Sequence, residues 1–132
     1  MQDRPTIDEL LEAVANFLTD DVMKATTGRV NFHARVAANG LQMVRRELAN
    51  EENHLFGELD ELESLLDESR PEASGDLVSL RNAVRSLNEV LIGRIRDGDA
   101  DSGPFRDWTI QHLKGMTRNK LVVTNPDWIK DE

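Results

Sequence analysis

Apolar residues along this chain recur at spacings of three and four, the period of a helix with one buried face. Thr6-Ile7-Asp8-Glu9 has the form of a capping box and predicts a helix start at Thr6. Ile7, Leu10, Leu11, Val14, Phe17 and Leu18 then share one stripe, which Val22 and Ala25 extend. Gly28 is the expected stop, since glycine takes the left-handed conformation without a Cβ penalty. The next segment, Arg29 to Leu48, is apolar over more than half of its circumference. Val30, Ala34, Ala37, Leu41, Val44 and Leu48 share one face, and Phe32, Val36 and Met43 a second. His33 and Gly40 fall between the two faces. Asn31, Arg35, Asn39, Gln42 and Arg46 form a narrow polar strip. A helix with so wide an apolar arc is expected at the centre of a bundle, with two or more helices packed on it.

Asn50 followed by Glu51-Glu52 has the character of a cap and an acidic first turn, and predicts a third helix carrying Leu55, Leu59, Leu62 and Leu66 on one stripe. Gly57 weakens that helix by about 1 kcal/mol relative to alanine. Arg70 to Gly75, with Pro71, reads as a loop. A fourth helix runs from near Asp76 to near Arg96 on the stripe Leu77, Leu80, Val84, Leu87, Leu91 and Ile95. Asp97 to Gly103 is a second loop. Pro104 opens a fifth helix, continued by Phe105, Trp108, His112 or Leu113, and Met116 to about Val123; Asn125-Pro126 ends it. Trp128 and Ile129 put two large apolar side chains in a short tail, which is expected to dock. No segment alternates as a strand and none repeats. The pattern predicts an all-α fold, one domain over residues 1–132, as an up-and-down bundle of five helices with the helix at about 29–48 in the middle.

Composition narrows the function classes. The 132 residues contain no cysteine, which excludes disulfides, thiol catalysis and thiolate metal sites. Twenty-five acidic residues against 16 basic ones give a net charge of −9, so a nucleic acid or an anionic membrane is repelled by the mean field. No apolar run approaches the roughly 20 residues of a membrane span. The N-terminus lacks the apolar core of a secretion signal. Met1 is read as the start of a complete chain, and a cytoplasmic location is expected. The charge is also uneven. Glu51 to Glu72 holds nine acids and one base, whereas Arg29 to Leu48 holds four arginines and one acid, Glu47. The two segments are expected to be neighbours attracting at their rims; the alternative is that the arginines hold an anionic ligand.

Candidate chemistry is sparse. Asp97-Gly98-Asp99-Ala100-Asp101 copies the opening of a calcium loop. Ser102 and Trp108 stand where that loop needs its turn glycine and its bidentate glutamate, so an acidic solvated loop is expected. His33, His54 and His112 show no metal-binding spacing. His33 has two readings: a core histidine bonded to a carboxylate or carbonyl of another helix, or, with Arg29, Asn39 and the space left by Gly40, a polar pocket for an anionic ligand. Arg35, Asn39 and Arg46 form a line that either pairs with carboxylates of the third helix or docks a partner protein. Trp108 is expected in the core and Trp128 at an interface. No nucleotide-binding loop, nucleophile motif or acid/base pair is present. No catalytic residue, metal or cofactor is therefore assigned, and a non-enzymatic protein is the expectation.

Asp3-Arg4-Pro5-Thr6, Phe32-His33-Ala34-Arg35-Val36-Ala37-Ala38-Asn39, Arg46-Glu47-Leu48, Lys120-Leu121-Val122-Val123 and Asn125-Pro126 resemble a family of small bacterial domains of unknown function. The F-H-A-R-V-A-A-N block is the most specific part. The resemblance implies an accessory protein encoded beside aminoglycoside-phosphotransferase-like kinases and acyl-CoA dehydrogenases, and so a partner enzyme of one of those kinds. A ligand-binding protein and a purely structural homodimer through a leucine stripe are the alternatives.

Overall fold

Thr6 opens the first helix as its pattern predicts. Its hydroxyl accepts the Glu9 N–H at 3.2 Å, and its own N–H donates to the Glu9 carboxylate at 2.7 Å. In the computed structural model, which describes residues 3–69 and 75–129, this helix is α1 (Ile7–Asn16). It continues into a wide π turn, Phe17–Val22, and a last short helical stretch, Met23–Ala25. α2 runs Gly28–Leu66, α3 Leu77–Arg96 and α4 Gly103–Thr124, and a 3-10 turn covers Pro126–Ile129. The described residues contain no strand, so the chain is all-α.

Four main helices replace the expected five, because the segments read as second and third are one. No glycine or proline interrupts Leu48 to Glu52, so the backbone bonding passes through Asn50 instead of restarting there. The Glu51 carboxylate pairs with Arg81 of α3 instead of a helix N-terminus. Gly28 does have the left-handed φ of a helix stop, +64°, but the residue opens α2. The Pro71 loop lies outside the described residues. Asp76 caps α3 through the Ser79 N–H at 2.8 Å, Pro104 sits in the first turn of α4, and Asn125 closes that helix.

The chain divides into two compact units, Met1–Ala49 and Asn50–Glu132. The second holds the core. Leu59, Leu62 and Leu66 of α2 pack with Leu80, Ala83, Val84, Leu87 and Leu91 of α3, and Phe105 of α4 lies against them. Leu59 and Leu62 are completely buried. Asn88 donates to Glu58 at 2.8 Å across the α2–α3 seam. Arg94 bonds Asp99 at 2.8 Å and stacks over the Phe105 ring at 3.9 Å, which fastens the acidic loop between α3 and α4.

The first unit is a helical hairpin built differently. Its buried apolar side chains are three alanines, Ala15 of α1 and Ala34 and Ala38 of α2. Polar bonds fasten it. Arg45 of α2 grips Asp8 with two bonds, at 2.6 and 2.9 Å, and reaches Glu12 at 3.3 Å. The Arg45 hydrogen bond holds the Asp8 carboxyl below its ordinary value of 3.8, and Asp8 in turn raises the pKa of Arg45. At the other end, the Asn31 amide donates to the carbonyls of Met23 at 2.6 Å and Thr26 at 3.0 Å, satisfying groups that the end of a helix leaves unpaired.

Candidate functional site

The arginine and histidine singled out in the sequence do meet. Arg29 and His33 are one turn apart on α2, and Arg29 Nε donates to His33 Nε2 at 3.4 Å. The Phe32 ring meets the imidazole edge-on, with centroids 5.6 Å apart. His33 is exposed, however, and is not the core histidine that its place on the apolar arc suggested. The arc itself is open on that side. A shallow groove of about 540 Å³ runs past it, lined by Leu18, Val22, Val30, His33, Ala34 and Ala37 together with Arg29. Asn39 is exposed and does not line the groove.

Arg35 and Asn39 are exposed and Arg46 is half-buried. The third-helix carboxylates proposed for this line lie further along the same helix. The acidic segment bonds elsewhere: Glu51 to Arg81, Glu58 to Asn88 and Glu61 to His112.

The core histidine is His112. It is 5% exposed on α4, and its Nδ1 lies 2.8 Å from Glu61 Oε2 of α2. A neutral ring with its proton on Nδ1 donates that bond and leaves Nε2 unprotonated. Nε2 is buried without a hydrogen-bond partner, and so is Thr109 Oγ1 one turn earlier. A histidine oriented by a carboxylate is half of a general-base arrangement. The other half, a hydroxyl bonded to Nε2, is missing. Among the described residues no group of three His, Asp or Glu side chains is placed to hold a metal ion. The pair joins α2 to α4 by a polar contact. Beside it, Trp108, Gln111, Ser64 and Leu65 border a hollow of about 410 Å³. Trp108 is 61% exposed there, not in the core as expected, because the inward positions of that turn belong to Thr109 and His112.

Trp128 is the most exposed large apolar residue, at 73%. The 3-10 turn that carries it is held by its N–H donating to Asn125 O at 3.1 Å, and Ile129 beside it is half-buried. The tail therefore docks through Ile129 and presents the indole outward. It borders a groove of about 720 Å³ along α4, lined by Leu113, Leu121 and Ile129, with Lys114 and Arg118 at its edge.

Residues 24–128 match the family model described as Domain of unknown function (DUF6285). The chain belongs to that family. The DUF6285 match spans α2, α3, α4 and Trp128, and it includes the F-H-A-R-V-A-A-N block; α1 and the Asp3–Thr6 segment precede it. No curated protein and no solved structure matches the chain.

Two features of this DUF6285 member escaped the sequence reading. Arg45 pairs with residues 33 and 37 positions away, which no local spacing signals. His112 was one of two neighbouring choices for the inward position of its turn. Its spacing of three from Thr109 and four from Trp108 was the available signal.

Proposed function

We propose that the chain is a non-enzymatic protein-interaction domain, accessory to a partner enzyme of the phosphotransferase-like or acyl-CoA-processing kind. The observation that supports this reading is Trp128, a large exposed side chain beside a groove of about 720 Å³. Tryptophan is enriched where interfaces concentrate their binding energy, because it covers much area with little lost freedom. Leu113, Leu121 and Ile129 line the groove together with Lys114, a cation in a chain of net charge −9. That combination suits an apolar segment of the partner carrying a carboxylate, with the charges setting its direction. The kind of enzyme follows from the family resemblance alone.

Co-purification of the partner from native extract is expected with the full chain and lost with Trp128→Ala. Retention of the partner by that variant, or its absence with the native chain when both proteins are folded, contradicts the reading. A small-ligand site at Arg29 and His33 has one observation in its favour, the Arg29–His33 contact beside a groove. The aliphatic lining of that groove, and Asn39 lying off it, suit an apolar side chain better than an anion.

A further inference from the structure

The hairpin of the first unit has two unlike sides. One carries the clamp of Asp8, Glu12, Gln42 and Arg45. On the other, Ile7, Leu10 and Val14 of α1 and Val30, Val44 and Leu48 of α2 are each 45–57% exposed. Helical spacing puts these six on the same side: in α1 they lie to one flank of Leu11 and Ala15, and in α2 to the matching flank of Ala34 and Ala38. We propose that a second copy of this chain covers that side, the two α2 helices crossing antiparallel near Ala38 and Asn39 so that two hairpins close a four-helix bundle.

Three observations select a second copy. The first is charge. Arg29 and Glu47 stand 18 residues apart on α2, which is five full turns of 3.6 residues, so both lie on one line at the edge of the open side. An antiparallel crossing midway between them sets Arg29 of each copy against Glu47 of the other, and Glu47 is exposed. The same crossing, to within about two residues along the helix, brings Val30 beside Leu48 and His33 beside Val44.

The second observation is shape. Ala37 and Gly40 fall at the crossing, and a Cβ added to Gly40 meets nothing within 4 Å, so two backbones can approach there. The groove of about 540 Å³ lined by Leu18, Val22, Val30 and His33 lies at one end of the open side. Val44 and Leu48 stand proud at the other end, where a twofold axis brings them into the groove of the second copy. The third observation is area. Six apolar side chains about half exposed, with the flanking groups, offer on the order of 800 Å² per copy, the standard amount for a stable pair.

Light scattering on the full chain, from about 10 μM to about 1 mM, tests this. The expected result is twice the chain mass at the upper end. Val44→Glu is expected at the single-chain mass throughout. Gly40→Leu is expected there too, while melting no lower than the native chain, since the single chain has open space at that position. It therefore decides the matter if V44E fails to fold. Arg29→Glu and Glu47→Arg are each expected to weaken pairing about tenfold, and the double variant to regain it. Trp128→Ala leaves the mass unchanged, which separates this proposal from the partner-docking one. Single-chain mass at every concentration, pairing that survives both V44E and G40L, or a double variant no tighter than the single ones overturns it.

Discussion

The two units of this chain share one helix and treat it in opposite ways. From Asn50 onward α2 presents Leu59, Leu62 and Leu66 to five apolar side chains of α3, and together they form a buried core. Before Ala49 the buried apolar side chains of the same helix, among the described residues, are Ala34 and Ala38, while Val30, Val44 and Leu48 are about half exposed. The difference lies in the size of the inward residues. Leucines hold helices apart around a filled core, while alanines let them meet closely with little between. The hairpin is therefore fastened by Arg45 and Asn31, and Val30, Val44 and Leu48 stay exposed.

The comparison breaks most sharply at paired truncations. Leu62→Ala is expected to lose about 2–5 kcal/mol, the range for emptying a fully buried leucine site. Leu48→Ala, at 56% exposure, is expected within about 0.5 kcal/mol of the native chain in dilute solution. Urea unfolding measures both, and equal losses contradict the contrast. Next in size, Ala38→Leu forces a large side chain into the α1–α2 seam and is expected to cost about 1–3 kcal/mol. A neutral result in thermal melting means that the hairpin is looser than its 3% exposed Ala38 indicates.

A smaller effect is expected at the polar tie of the second unit. Glu61→Leu removes the acceptor of His112 Nδ1 and is expected to cost about 1 kcal/mol, whereas Glu61→Gln keeps an acceptor and most of the stability. The smallest effect belongs to the hairpin clamp. The folded Asp8 carboxyl titrates below its ordinary value of 3.8, chiefly because Arg45 bonds it. The clamp's stabilisation is thus full above that value and is lost as pH falls from there through the lowered one. Asp8→Asn is expected to flatten this acid segment of the melting curve, and an unchanged acid profile contradicts the assignment.

Much of the fold was legible because its signals are local. The Thr6–Glu9 box, the Asp76 cap, Pro104 and Asn125-Pro126 each mark a helix end through residues a few positions apart, and each end lies where those residues put it. The junction at Asn50 was misread because the same Asn-Glu-Glu letters suit a helix start and a helix interior; the distant Arg81 settles where Glu51 bonds. The wide apolar arc of residues 29–48 was expected to carry two or more helices, yet Val30, Val44 and Leu48 stay about half exposed, because periodicity says nothing about whether a neighbour lies in the same chain. The histidines exchange roles for the same reason. His33 sits on an apolar arc that no helix of its own unit covers, while His112 sits on a weaker stripe whose partner, Glu61, is 51 residues away.

The second unit has its own buried leucine core, and the pairing inferred for the first unit would give it one. Hydrogen exchange of individual amides, followed at several protein concentrations, tests this most directly. The expected result is slow, concentration-independent exchange at residues 59–66 and 80–91, and protection at residues 7–16 and 30–48 that grows with concentration. Equal protection in both regions, unchanged by dilution, would contradict it.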